Sequence, residues 1–118
     1  MRKAMIRVQA GSLEQSLADT GAAFKRAWAT GEYQGEEFVF DSTEALFRAI
    51  TPCRWELMGM LQRLGPMSLR ALARELGRDI KNVHADVAAL KEIGLIEDHE
   101  QGIWVPFQEI EAHLRLAA

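Results

Sequence analysis

Cysteine occurs once in the 118 residues, at Cys53. A single thiol can form neither an internal disulfide nor a multi-thiolate zinc site. With no second cysteine to resolve an oxidised thiol, Cys53 is expected to have no redox role. Long apolar runs are also missing, and none approaches the roughly 20 residues that a membrane span needs. The basic start, Met1-Arg2-Lys3, is followed by no apolar stretch and so lacks the form of a secretory signal. No glycine-rich phosphate loop, zinc-spaced Cys/His set or nucleophile motif occurs. These absences lead us to expect a cytoplasmic protein that is not an enzyme, holds no metal, needs no cofactor and has no membrane partner.

What is present suits a folded core. Hydrophobic residues make up 48% of the chain and charged residues 26%, an ordinary globular balance that argues against disorder. The length predicts one domain with a short additional element. The net charge is −3, which is unusual for a nucleic-acid binder. The distribution decides more than the sum. Residues 54–91 carry seven basic and four acidic side chains, whereas residues 92–118 carry one basic and six acidic. Any anion-binding surface is therefore expected within residues 54–91.

Along the chain, residues 3–9 predict a short strand and Gly11-Ser12 ends it. Leu13, Leu17, Phe24 and Trp28 recur at helical spacing, with Gly21 inside the run and Gly31 after it. Residues 37–40 predict a second strand. Asp41-Ser42-Thr43-Glu44 has the capping-box pattern, with Asp41 in the cap role, and opens a helix to about Ala49. Thr51-Pro52 caps and starts the next helix, which passes through Trp55, Met58 and Leu61 and stops at Gly65-Pro66. Ser68 caps a helix over residues 69–76 that Gly77 closes, and Asp79 caps another over residues 80–93 that Gly94 closes. Two helices of these lengths joined by a turn of about three residues have the helix-turn-helix pattern. Leu72 and Leu76 face inward from the first helix, where Ala73 allows close approach. Ile80, Val83, Val87 and Leu90 form the inward stripe of the second. Residues 95–105 predict a β-hairpin with its turn near Gln101-Gly102, the wing of a winged helix. Residues 108–117 fit a final helix or strand. The fold class expected is α+β, mainly α: a winged helix-turn-helix with an N-terminal strand-helix-strand extension. Residues 1–50 are the extension, too small to stand alone and expected to be the dimerisation element, residues 51–107 the DNA-binding domain, and residues 108–118 a segment packing on the domain or on a dimer partner.

The run Ala71-Leu72-Ala73-Arg74-Glu75-Leu76-Gly77-Arg78-Asp79-Ile80-Lys81-Asn82-Val83-His84-Ala85-Asp86-Val87, with Leu90 and Gly94-Leu95-Ile96 after it, resembles the MarR-like winged-helix regulators. More narrowly it is similar to a group of archaeal and bacterial DNA-binding proteins with Gly-Arg-Asp-x-Lys-Asn-Val-His. The likeness extends to Thr51-Pro52, Arg54-Trp55-Glu56 and Val105-Pro106-Phe107. Members of that group are often encoded beside toxin-like genes, so the resemblance implies an autoregulating antitoxin role. The chain departs from the group at Ala85, where arginine is common, which weakens the expected contact to phosphate or base at that point.

In a helix-turn-helix the second helix enters the major groove. With Ile80, Val83, Val87 and Leu90 inward, its outward face carries Lys81, Asn82, Ala85 and Ala89, with His84 and Asp86 on the flanks. Asn82 suits adenine, Lys81 guanine or phosphate, and Ala85 a thymine methyl. Arg70, Arg74 and Arg78 are candidate phosphate clamps, and the helix start at Ser68 offers backbone donors. Gln101 at the wing tip completes the candidate set. Plainer readings stand beside these. Arg70 and Arg74 also fit a solvated face, and His84 also fits a packing role. His99 and His113 fit plain surface positions, and Trp28, Trp55 and Trp104 fit core or interface anchors. A wing in the minor groove is expected to carry Arg or Lys, whereas this one carries Glu97, Asp98 and Glu100. The expected function is a dimeric DNA-binding repressor of its own operon, with double-stranded DNA and a second copy of the chain as partners. The alternative is an antitoxin or protein-interaction module whose acidic C-terminal surface binds a toxin-like protein.

Overall fold

A computed structural model of the protein describes residues 2–8 and 35–114. Their order is β1 (Lys3–Val8), β2 (Glu36–Phe40), α1 (Thr43–Ala49), α2 (Pro52–Leu64), α3 (Leu69–Leu76), α4 (Ile80–Ile93), β3 (Glu97–His99), β4 (Gly102–Trp104) and β5 (Glu109–His113). The fold is thus α+β, with helices and two small sheets. The helix expected through Leu13, Leu17, Phe24 and Trp28 lies outside the described residues. The chain divides into two compact units, one spanning Phe47–Gln108 and the other containing β1, β2 and β5. No described helix is long and apolar enough to cross a membrane.

Local chemistry sets the helix ends of the first unit. The Thr51 hydroxyl accepts from the Arg54 backbone N–H at 3.3 Å, and Pro52 occupies the first turn, where its missing N–H costs no helix bond. The Ser68 hydroxyl accepts from Ala71 N at 3.1 Å, and an Asp79 carboxylate oxygen accepts from Lys81 N at 2.7 Å. Gly77 closes α3 in the left-handed conformation at φ 65°, which leaves three residues, 77–79, to join α3 to α4. At α1 the cap differs from expectation. Ser42, not Asp41, takes the role, its hydroxyl accepting from Ala45 N at 3.0 Å. Both Asp41 and Ser42 are used in the bend that follows β2, so the helix begins one residue later.

Leu57, Met58 and Leu61 of α2, Leu72 and Ala73 of α3, and Val83, Val87 and Leu90 of α4 are buried, together with Leu95, Ile96, Ile103, Val105 and Phe107 beyond them. Ile80 is an exception to the expected stripe, being 43% exposed. It is the first residue of α4, and the buried face begins one turn later, at Val83. Leu76 is half-buried, as are Trp55 and Trp104.

β3 and β4 pair antiparallel, with His99 opposite Gly102 and Glu97 opposite Trp104. The turn is therefore Glu100-Gln101, not Gln101-Gly102, and Gly102 belongs to β4. The glycine serves a different purpose. Met67 and Ile103 exchange backbone hydrogen bonds of 3.1 and 2.9 Å, which adds a bridge from the α2–α3 connection to the hairpin. Gly102 sits beside that bridge at φ 135°, and a Cβ there would overlap the Met67 carbonyl and Ser68 Cα. Only glycine satisfies both the conformation and the space.

In the second unit, β1 lies between β2 and β5 and pairs with both in parallel, Ile6 standing opposite Phe38 on one side and Ala112 on the other. The C-terminal segment, open to helix or strand from its sequence, is thus strand β5. Ala4 and Ile6 are buried. Ion pairs link the strands at Arg2–Glu36 (2.8 Å), Arg7–Glu37 (3.3 Å) and Lys3–Glu109 (3.6 Å).

Gly102→Ala is expected to destabilise the protein by about 2 kcal/mol or more, because it combines positive-φ strain with a backbone clash. A urea-unfolding midpoint equal to wild type would contradict this account of the bridge.

Candidate nucleic-acid interface

The candidate surface is built on α3, the 77–79 turn and α4. The buried residues Val83, Val87 and Leu90 fix one face of α4, and the opposite face is exposed at Lys81, Asn82, His84, Ala85 and Ala88. Ala89, expected outward, is half-buried instead, so the exposed row runs 81, 85, 88. His84, expected on a flank, is exposed with this row. Small side chains at 85 and 88 leave the middle of the helix low in profile.

Six cations of the first unit, on α2, α3, the turn and α4, fall into two sets. Arg54, Arg78 and Lys91 are engaged in ion pairs. Arg70, Arg74 and Lys81 are exposed, and among the described residues their side chains form no ion pair. Ser68 is exposed at the start of α3, with its hydroxyl committed to the cap. Gln101 is exposed in the hairpin turn, and its backbone N–H donates to His99 Nδ1 at 3.0 Å. Arg70, Arg74, Lys81, Asn82, His84 and Ala85 thus share the α3–α4 pair, whereas Gln101 lies on the separate hairpin.

Arg78 has a different setting from the other candidates. Its Nη2 donates to Asp86 Oδ2 at 2.7 Å, and Arg54 Nε of α2 donates to Asp86 Oδ1 at 2.9 Å. Arg54 Nη1 also donates to the Ala49 carbonyl at 2.7 Å. One carboxylate on α4 therefore holds α2 and the turn together. The Asp86 side chain is only 14% exposed. Burial pushes its carboxyl up, but the hydrogen bonds from Arg54 and Arg78 outweigh that and hold it below the ordinary carboxylate range. The same bond to Asp86 is the main cause raising Arg78 above the usual arginine value. Arg78 Nη1 is buried with no hydrogen-bond partner among the described residues. Arg78 thus orients the turn, while Arg70 and Arg74 are the unengaged arginines of α3. The Arg54–Asp86 contact spans 32 positions and had no local sequence signal. The available hint was a carboxylate between Val83 and Val87, beside an apolar stripe, where a charge requires partners.

The hairpin has another character. Lys91 Nζ pairs with Asp98 at 2.7 Å, and the His99 ring packs edge-on to Trp104 with centroids 5.0 Å apart. Glu97, Asp98 and Glu100 leave it acidic. An open groove of about 360 Å³ runs past Leu61, Gly65, Pro66, Trp104 and Phe107. Gln62, also lining it, donates to the backbone carbonyls of Phe107 and Gln108 at 3.2 and 2.7 Å. Among the described residues no three His, Cys, Asp or Glu side chains are placed to share a metal ion.

A compact unit with an α3–turn–α4 pair, a bridged hairpin and an exposed helix face defines a small α+β domain. The family model HVO_A0114 matches residues 49–112, just over half of the chain, and the protein belongs to the HVO_A0114 family. No curated protein and no solved structure matches the chain.

Asp86→Ala is expected to cost about 2 kcal/mol, since two partly buried guanidinium groups lose their carboxylate. The lowered carboxyl value also fixes a sign. An unfolded Asp titrates near about 3.9, so the stabilisation is complete above about pH 5 and is lost as pH falls through the lower folded value. Denaturant titrations at several pH values should show wild type and Asp86→Asn converging below about pH 4. A gap independent of pH down to about 2 would mean that the charge of Asp86 is not what stabilises the unit.

Proposed function

We propose that the protein is a DNA-binding transcription regulator, not an enzyme, whose Phe47–Gln108 unit works as a MarR-like winged helix-turn-helix. In this reading α4 enters the major groove and the β3–β4 hairpin is the wing. The observation that carries it is the exposed row on α4, Lys81, Asn82, His84 and Ala85, flanked by the unpaired cations Arg70 and Arg74 of α3. Asn82 has the paired donor and acceptor that adenine recognition requires, and Ala85 can meet a thymine methyl. Arg70, Arg74 and Lys81 provide mobile cations for phosphates, which position a protein without specifying sequence. Arg78 and Asp86 act indirectly, by setting the pose of α4. The natural target is the protein's own upstream region, bound by a two-fold dimer as a repressor.

The acidic hairpin favours a second reading, in which that surface binds a basic protein partner such as a toxin. Asp98 is 76% exposed at its side chain, and no Lys or Arg lies within β3, β4 or their turn. A minor-groove contact by this wing lacks the cations it would need.

Binding to duplex DNA from the upstream region, followed over a salt series, separates the two. Wild type should bind it more tightly than random duplex, with affinity falling as salt rises. Lys81→Ala with Asn82→Ala should weaken specific binding by about 10- to 100-fold and reduce the salt slope by about 1. A folded protein with no preference over random duplex would exclude the DNA reading and leave the protein partner.

A further inference from the structure

The outer edge of β5 ends the three-stranded sheet, whose order is β2-β1-β5. Among the described residues nothing pairs with that edge. Its pairing with β1 runs in unbroken register from Glu109 to His113, and the strand contains no proline, no lysine and no bulge. Those are three of the devices that keep edge strands from joining another chain; of the others, β5 has its charged side chains, Glu109 and Glu111. Glu109, the first acidic residue of the strand, is already matched by Lys3 at 3.6 Å. Glu111, Ala112, His113 and Leu114 are all exposed, Leu114 by 47%.

We propose that β5 is a homodimer interface, in which the edges of two copies pair antiparallel about a two-fold axis at Ala112. A two-fold antiparallel pairing sets a residue opposite its own copy, and three centres are possible within the strand's middle. Centring on Ile110 places Glu109 against Glu111 of the second copy. Centring on Glu111 places two carboxylates face to face. Like charges directly opposite are destabilising. Centring on Ala112 places each Glu111 opposite a His113, a carboxylate acceptor against an imidazole, and each Ile110 opposite a Leu114. Within one chain His113 Nε2 lies 3.3 Å from Glu111 Oε2, so the two groups stand together on one face of the strand. The pairing joins two three-stranded sheets into one of six strands. It commits the edge to a second copy of this chain, and it does not depend on the DNA-binding reading.

Sedimentation of the full chain and thiol cross-linking test it together. Wild type should sediment as a dimer. Glu111→Lys or His113→Glu should each raise the dimer dissociation constant by about tenfold, through two symmetry-related pairs. The double change Glu111→Lys/His113→Glu should bring it back. In a Cys53→Ser background, Ala112→Cys should oxidise to a covalent dimer faster than Ile110→Cys or Glu111→Cys. Circular dichroism on every variant ensures that a lost dimer is not a lost fold. A monomeric wild type, a dimer indifferent to both single changes, or fastest cross-linking at Ile110 or Glu111 would each overturn the proposal.

Discussion

The pose of α4 depends on one carboxylate. Asp86 receives Arg54 from α2 and Arg78 from the turn, and Arg54 reaches on to the Ala49 carbonyl at the end of α1. Hydrophobic contact through Val83, Val87 and Leu90 is strong but non-directional, and it tolerates small rotations of a helix about its axis. Two hydrogen-bonded ion pairs of 2.9 and 2.7 Å do not, because their geometry is specific. The exposed row at Lys81, Asn82 and Ala85 is therefore held at a defined angle by groups that are not themselves part of it.

That constraint also divides the cations. Two arginines of the basic block balance Asp86, and Lys91 balances Asp98. Arg70, Arg74 and Lys81 remain unpaired on the α3–α4 surface. A chain with net charge −3 can thus present a local cationic surface, because its acidic excess is concentrated in residues 92–118. Net charge describes the whole molecule, whereas a phosphate senses charges within about a Debye length, roughly 8 Å at physiological salt.

The hairpin shows a similar economy of means. Its backbone attachment to the α2–α3 connection is a pair of hydrogen bonds between Met67 and Ile103, made possible by the missing side chain at Gly102. The turn itself, Glu100-Gln101, needs no glycine, and no residue other than glycine has positive φ among the described residues. A glycine near a hairpin turn invites assignment to the turn, yet here its function is close approach of a third backbone segment.

Helix boundaries were legible in the sequence because capping is local chemistry: Thr51, Ser68 and Asp79 act on N–H groups two or three residues ahead, and Gly77 and Gly94 act on their own backbone. The buried face of α4 was legible from its spacing except at Ile80, where periodicity continues but the packing partner does not. The same local logic placed Asp41 one residue away from the true cap, since adjacent Asp and Ser are equal candidates. Lys81, Asn82 and Ala85 were visible as an outward row. What tertiary structure alone decided was the pairing of Asp86 with Arg54 and Arg78, the bridge from Met67 to Ile103, and the placement of β5 beside β1. Each joins groups far apart in the chain, and no local pattern encodes which distant partner a carboxylate, a backbone edge or a strand will meet.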